Sequence, residues 1–431
     1  MKTRKPQCKK QISIKRDNLR VHGTRGIFPT EETAWKFLAT SQEATADLHD
    51  FHFIEIPYIE TAQTVLTSMR GGAQGIICIM KPSSGGADIA LRQGTELGII
   101  RSYIEEKLGR FAQPLRVYHH GPVFLCDADG KKTTIKESYR QGFDIIGDND
   151  PIYDGQIITA ALSFLDALHI KNAIFRINAL GCKTCRTTYR EKLRTYYGSN
   201  KSKLCDLCLK TLELGIIEEF ECASSKCKSI HDEIPSILDY LCYNCNNHFK
   251  TVLELLEDNG IAYEPCPRLS RVFPYYSKTV FEFRAPSGQL LAEGGRYDYL
   301  ADMLWGRNIP GVGVSFHASN ILKVLALEKM VFKPKIKTPV FFVAVGEQAK
   351  KASLRYISEI RSHNIPVVES IGKKSLQVQL KIARKHNSVL ALIFGQREVY
   401  EDTIIIRDLS SGAQETILLS NLMAEVKKRL K

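Results

Sequence analysis

Four close pairs of cysteines fall between residues 182 and 245: Cys182 with Cys185, Cys205 with Cys208, Cys222 with Cys227, and Cys242 with Cys245. A Cys-x-x-Cys turn lets two thiolates reach one Zn²⁺ at about 2.3 Å, and two such turns complete a tetrahedron. The eight thiols predict two closed structural zinc sites of four cysteines each, with no open position for chemistry. Spacing does not say which pairs share an ion. Adjacent and interleaved pairing both fit, and His231 and His248 are possible substitute ligands. Twelve cysteines, eight of them so paired in a chain without a secretory segment, read as metal in a reducing compartment, hence the cytoplasm. Metal should supply folding energy to a stretch too short to bury a large core.

A second group lies in Arg271 to Asp298, which reads RVFPYYSKTVFEFRAPSGQLLAEGGRYD. Alternating apolar runs, Thr279 to Phe283 and Gln289 to Ala292, flank Ala285-Pro286-Ser287-Gly288, the pattern of a hairpin. Arg271, Tyr275 and Tyr276 precede it, and Gly294, Gly295, Arg296, Tyr297 and Asp298 follow. In this order the pieces resemble the two signature stretches of histidyl-tRNA synthetases, the first of which usually reads Arg-Gly-Leu-Asp-Tyr-Tyr.

The chain that must position these groups has 431 residues, enough for two or three domains with full cores. Its net charge of +13 points to a polyanionic partner, nucleic acid before membrane, though it also serves solubility. No apolar run approaches the roughly 20 residues needed to span a bilayer, so no membrane is expected. Residues 1–19 read as a disordered basic tail; an organelle transit peptide is the other reading of the same composition.

Gly23 to Pro29 is loop-like, and a helix from about Glu31 to Leu48 feeds a strand, Phe51 to Tyr58, with Pro57 at its end or edge. This unit is similar to motif 1 of class II aminoacyl-tRNA synthetases, which builds their dimer interface. Ile89 to Arg92 reads as a short strand and Gly98 to Leu108 as a helix. Leu115 to Phe124 and Tyr139 to Ile146 are strands on either side of a polar loop, Asp127 to Lys136, and resemble motif 2. Asp154 to Leu168 is helical and Ala173 to Ile177 a strand. From 180 to 259 the composition shifts to Cys, Lys and helix formers, an inserted domain. Some bacterial histidyl-tRNA synthetases look similar here, and Arg186, Arg190, Lys192, Arg194, Lys201 and Lys203 would then face phosphate.

Residues 331–337 are a linker by composition. Beyond it, Val340 to Val345, Val367-Val368 and Leu390 to Phe394 read as buried strands, and Ala349 to Arg361 and Ser375 to Lys385 as helices. The alternation predicts a small α/β domain, 338–431, with a largely parallel sheet. Lys373, Lys374, Lys381, Arg384 and Lys385 form a one-signed run without acids, a phosphate-binding face. GKKSLQVQLKIARKHN, LALIFGQREV and IIIRDLSSGAQE resemble the anticodon-binding domain of the same synthetases almost end to end.

The resemblance covers residues 20 to 431. It implies an α+β class II synthetase core, an antiparallel sheet with flanking helices (20–179 and 260–330), carrying an inserted helical zinc domain (180–259) and a C-terminal α/β anticodon-binding domain. It also implies a homodimer and a tRNA partner, histidine-specific if the family specificity is kept. The family joins ATP to histidine, then moves the aminoacyl group to tRNA, and guanidinium groups must stabilise charge developing on the α-phosphate. Here the motifs depart. The family's Phe-Arg-x-Glu falls on Phe124-Leu125-Cys126-Asp127, so the α-phosphate arginine is Leu125. The motif 3 Gly-Leu-Glu-Arg falls on His317-Ala318-Ser319-Asn320, so the second ATP arginine is Asn320. The carboxylate that holds the amino group of histidine is Gly94, with Glu96 the available replacement. The motif 2 glutamine is Arg140, a replacement cation, and Pro274 stands for the Asp before the tyrosine pair.

Retained are Arg271, which in the family works on the α-phosphate, with Tyr275, Tyr276, Gly294, Gly295 and Arg296, while Asp144 stands where the imidazole-reading Glu would be. The resemblance therefore implies a tRNA-binding protein with adenylation impaired or lost, or, alternatively, a divergent active ligase; ATP and Mg²⁺ are implied only for the second.

Overall fold

A computed structural model describes residues 20–69, 77–83, 85–129, 132–213, 222, 224–271, 273–330, 332, 339–373 and 375–430. The basic tail and residues 333–338, most of the expected linker, lie outside them. The chain divides into two compact units, Met1–Val331 and Phe332–Lys431.

In chain order the strands of the first unit are β1 (His52–Phe53), β2 (Ile59–Thr61), β3 (Ile79–Met80), β4 (Ile89–Leu91), β5 (Leu115–Asp129), β6 (Lys132–Ile146), β7 (Ile174–Gly181), β8 (Glu264–Pro265), β9 (Ser277–Arg284), β10 (Leu290–Arg296) and β11 (Gly311–His317). Eight of them form one sheet in the order β1-β5-β6-β11-β10-β9-β7-β8, and β2-β4-β3 form a small second sheet. The large sheet is antiparallel except at its edges, where β1 joins β5 and β8 joins β7 in parallel.

Alternation decides its faces. Phe143 of β6 and Phe316 of β11 pack edge-on against Phe164 of helix Ile152–Ala167. Helix Glu32–Leu48 covers the same face, where Gln42 donates to the carbonyls of His119 and Gly142 at 3.0 and 3.2 Å. The opposite face carries Arg140, Gly142 and Asp144 of β6, which register with His317, Ser315 and Gly313 of β11.

The expected hairpin is present, closed where Gly288 donates to the carbonyl of Ala285 at 2.8 Å with Gly288 at φ 85°. Two expectations need correction. The motif 1 strand is only His52–Phe53, because Pro57 has no N–H and the chain then turns into the small sheet. The polar loop Asp127 to Lys136 is mostly strand, since β5 and β6 pair continuously from Leu115–Ile146 to Asp129–Lys132. Cys126 of this ribbon is joined to Cys78 as a disulfide, which departs from the reducing environment expected from the cysteine pairs.

The insertion is helical, with helices Lys183–Ser199, Asp206–Glu213, Ser225–Asp232 and Tyr243–Asp258. It has a small core of its own, including Tyr189, Leu193, Tyr197, Cys208, Cys227 and Ile230.

In the second unit β12 (Val340–Ala344), β13 (Val367–Glu369), β14 (Leu390–Phe394), β15 (Thr403–Asp408) and β16 (Gln414–Leu418) form one sheet in the order β13-β12-β14-β15-β16. The first three are parallel and the last two antiparallel, so the sheet is mixed where a largely parallel one was expected. No helix among the described residues is long and apolar enough to cross a membrane.

Candidate active site and metal centres

The open face of the large sheet is lined by glycines where space is needed. A β-carbon on Gly313 would lie 2.0 Å from Asp144 Oδ1, and one on Gly142 would lie 2.4 Å from His119 Nε2. Asp144 is buried, accepts from the Tyr297 hydroxyl at 2.8 Å, and stands 3.0 Å from His119 Nε2. The same imidazole nitrogen lies 3.2 Å from Thr95 Oγ1. Asp144, predicted to read a ring, thus sits in a buried polar chain. His119, Thr95 and Tyr297, which complete it, were not singled out in the sequence.

Glu96 borders this chain. The Tyr276 hydroxyl donates to its Oε1 at 2.7 Å, while its buried Oε2 has no partner among the described residues. Burial pushes the Glu96 carboxyl up; the Tyr276 hydrogen bond opposes this and the nearby Asp144 charge adds to it. Tyr275 stacks on Tyr276 with ring centres 5.3 Å apart. Burial first, then the charge of Glu96, holds both phenols well above the usual tyrosine range. A side chain on Gly94 would run into Glu96 Oε2, 2.3 Å from the ideal β-carbon. The Glu96 carboxylate therefore fills the space that a side chain on Gly94 would take.

A charged cluster lies along the same face. Arg271 donates to the carbonyls of Phe281 and Gly294, the latter at 3.2 Å, and its Nη1 stands 3.8 Å from Glu293 Oε2. Arg140 reaches Glu293 Oε1 at 3.1 Å and contacts His317 Nε2, which is itself 3.0 Å from Glu293 Oε1. Burial would raise the Glu293 carboxyl, but the His317 hydrogen bond and the charges of Arg271 and Arg140 outweigh it and hold the group well below the usual carboxylate range. Burial lowers His317, with Arg140 adding to the effect against the pull of Glu293. The expected cations Arg271 and Arg140 are brought together, then, but around an acid. Glu293 was missed in the sequence, although its spacing of two from Gly295 puts it on the ligand face of β10.

Arg296, expected to touch substrate, is instead fully buried. It donates to Asp154 Oδ2 at 2.7 Å, Asp298 Oδ1 at 3.3 Å and the Asp150 carbonyl at 2.7 Å. These contacts engage the whole guanidinium fork and make it a framework ion cluster. Gly294 and Gly295 permit close strand approach; β-carbons there would lie 2.4 Å from the Gly313 carbonyl oxygen and 2.7 Å from that of Thr279. Asn320 gives its amide to the Leu290 carbonyl at 2.9 Å, and Leu125 is half-buried on β5 opposite Lys136.

The cysteines assemble as two groups of four, Cys182, Cys185, Cys242 and Cys245, and Cys205, Cys208, Cys222 and Cys227. In each group the sulfurs lie within 4.8 Å of one another. Tetrahedral Zn–S bonds of about 2.3 Å require sulfur–sulfur edges near about 3.8 Å, and Cys182–Cys242 at 3.9 Å and Cys205–Cys222 at 3.7 Å fit. Backbone N–H groups of Cys242 and Cys205 point at the sulfurs of Cys185 and Cys227, both at 3.1 Å, as thiolate charge demands. The sharing is nested: the first pair joins the fourth, enclosing the second and third. The ring of His248 stands 3.4 Å from Asp154, outside both groups; the side chain of His231 is not among those described. Arg186, expected to face phosphate, donates to the carbonyls of Pro274 and Tyr276, both at 3.2 Å, fixing the insertion to the tyrosine segment.

In the second unit, helix Leu376–Lys385 buries Gln379 and Ala383. Gln379 donates to the Ala344 carbonyl at 2.8 Å and accepts from its N–H at 3.2 Å. That anchor leaves Lys381, Arg384 and Lys385 exposed at helical spacing, with Lys373 exposed beside them; Lys374 lies outside the described residues.

Comparison with known proteins agrees with this architecture. A model described as histidyl-tRNA synthetase matches residues 243–321, and one described as anticodon binding domain matches 339–429. The histidine--tRNA ligase of Natranaerobius thermophilus is 28% identical over 413 residues, covering 94% of this chain and 98% of its own length. That of Acetivibrio thermocellus is 29% identical over 415 residues, with coverages of 94% and 98%. The apo Staphylococcus aureus (S. aureus) histidyl-tRNA synthetase structure shares the fold at TM-score 0.74 and 22% identity, covering 97% of this chain and 100% of that one. A Bacillus halodurans structure titled ATP phosphoribosyltransferase regulatory subunit/histidyl-tRNA synthetase gives 0.61 and 17%, covering 87% of this chain and 98% of that one. The similarity to class II histidyl-tRNA synthetases thus runs nearly end to end, and the C-terminal unit matches an anticodon-binding domain.

Proposed function

We propose that this chain binds tRNA but carries out adenylation of histidine weakly or not at all. The observation that supports this most directly is the side-chain chemistry at the two positions of the missing ATP arginines. Leu125 offers no charge, and the Asn320 amide is engaged with the Leu290 carbonyl. Each lost guanidinium should cost on the order of 3 kcal/mol of transition-state stabilisation, or roughly 10²-fold in rate. Lys373, Lys381, Arg384 and Lys385 are the proposed tRNA contacts, with tRNA for histidine the first candidate. The two four-cysteine groups are read as structural zinc sites. A homodimer fits the exposed apolar side chains Phe53 on β1, Tyr58 after it, and Ile59, Ile79 and Met80 on the small sheet.

A second reading, a working ligase that uses Arg140 and Arg271 on phosphate with ATP and Mg²⁺, draws on the Glu96 carboxylate lying in front of Gly94. Histidine-dependent ATP–pyrophosphate exchange separates the two: clear exchange ends the first reading. For the tRNA claim, filter binding at two salt concentrations should show a steep loss of affinity. Lys381→Glu with Arg384→Glu should flatten that slope, because each lost phosphate contact releases about one counterion fewer. A wild type that responds little to salt would count against the claim.

A further inference from the structure

Glu293 stands on β10 opposite Ser315 of β11, with Arg140 one strand further on and Arg271 reaching over from the segment before the tyrosine pair. Its two oxygens divide between the two cations: Oε1 takes Arg140 and neighbours His317, while Oε2 faces Arg271. This is how guanidinium groups hold a bound oxyanion, except that the anion is part of the chain. The seat is not filled to capacity. Arg140 Nε and Arg271 Nε are buried and have no acceptor among the described residues, and the Arg271 side chain is only 8% exposed. Glu293 keeps 31% of its own side chain open, so the seat is reachable. A carboxylate presents two oxygens where a phosphoryl group presents three, which leaves donors over in this way.

We propose that the carboxylate of Glu293 is a built-in occupant of an anion seat formed by Arg140, Arg271 and His317, and that it makes this site reject polyphosphates. A polyphosphate entering the seat meets a negative charge at contact distance and must also compete for both guanidinium groups. Removing that charge while leaving the cations frees the donors for an outside anion. The inference rests on the reading of the core as a family core with weakened nucleotide use, and deepens it. Loss of two arginines removes attraction, whereas Glu293 adds an active obstacle.

The test is calorimetric titration of the full-length protein with inorganic tripolyphosphate at fixed low salt. Glu293→Gln should bind about tenfold tighter or more than the wild type. Adding Arg271→Ala to that variant should abolish the gain. Glu401→Gln, which removes an equal charge from an exposed ion pair with Arg397, should bind as the wild type does. Equal affinity of wild type and Glu293→Gln, or an equal gain in Glu401→Gln, would overturn the proposal. If Glu293→Gln does not fold, the wild type alone decides. Tight tripolyphosphate binding that Arg271→Ala removes overturns the proposal, and weak binding indifferent to Arg271→Ala supports it. Pyrophosphate exchange by the wild type would sink the impaired-ligase reading whatever these affinities. Conversely, failure of the Glu293 titration leaves the losses at Leu125 and Asn320 standing.

Discussion

The carboxylate of Glu96 ends 2.3 Å from the point that a β-carbon on Gly94 would occupy. A glycine and an acid two residues apart are thereby one structural unit: the acid can fold back only because its neighbour has no side chain. The acid is also buried with no ion pair among the described residues, and burial raises its carboxyl despite the Tyr276 hydrogen bond. Between the ordinary glutamate value and this raised one, the native state binds more protons than the unfolded state. Stability therefore falls as pH rises through that window. Glu96→Gln cannot ionise and keeps an acceptor for Tyr276, so the variant should gain on the wild type as pH goes from about 5 to about 8. Denaturant midpoints measured across that range check this; parallel curves would refute it.

Gly313 gives Asp144 its room. Gly313→Ala forces the carboxylate away from Tyr297 and His119, or pushes two central strands apart. A loss of about 2–4 kcal/mol is expected, read as a lower urea midpoint with unchanged slope. A loss below about 0.5 kcal/mol would mean that the strands yield more easily than close packing allows.

Arg296 and Asp154 are both fully buried and 2.7 Å apart. Arg296→Met leaves Asp154 and Asp298 without their shared cation and should cost about 3–5 kcal/mol. Combining it with Asp154→Leu should recover much of that loss, since an apolar pair avoids the stranded charge. If both steps destabilise equally, the cluster does not act as a pair.

Metal analysis of the purified full chain should find two zinc ions. Cys245→Ser and Cys208→Ser should each lose one, because they belong to different groups. Cys208→Ser should also lower the helical signal of the insertion while the sheet persists, given that Cys208 packs in the insertion's own small core. One ion in the wild type, or both lost in either variant, would contradict the nested arrangement.

How far the sequence carries the reading depends on the range of the interaction. The hairpin Ser277–Arg284 with Leu290–Arg296 and the helix Leu376–Lys385 were legible because period and turn chemistry are local. The eight thiols were legible as metal ligands, yet their partnership was not, because it depends on how helices fold back over some 60 residues of chain. The stretch Asp127 to Lys136 resembled a loop since a run of polar residues without apolar alternation does not by itself separate strand from turn. Arg296 shows the reverse difficulty. An arginine beside two glycines suggests an anion site, and only Asp154, 142 residues earlier, reveals what it is for. Glu293 carried only its spacing from Gly295; its meaning comes from Arg140 on β6 and from Arg271 in the segment before the tyrosine pair.

The cysteine group at the base of the insertion links Cys182, directly after β7, to Cys242, where the chain begins its return. That clasp pins the neck of the insertion, and Arg186 ties the helix just beyond it to the tyrosine segment. Melting, cutting or exchanging the outer lobe therefore need not propagate a change of register into the strands of the large sheet. Such a joint offers a natural seam for transplanting a lobe from one relative to another.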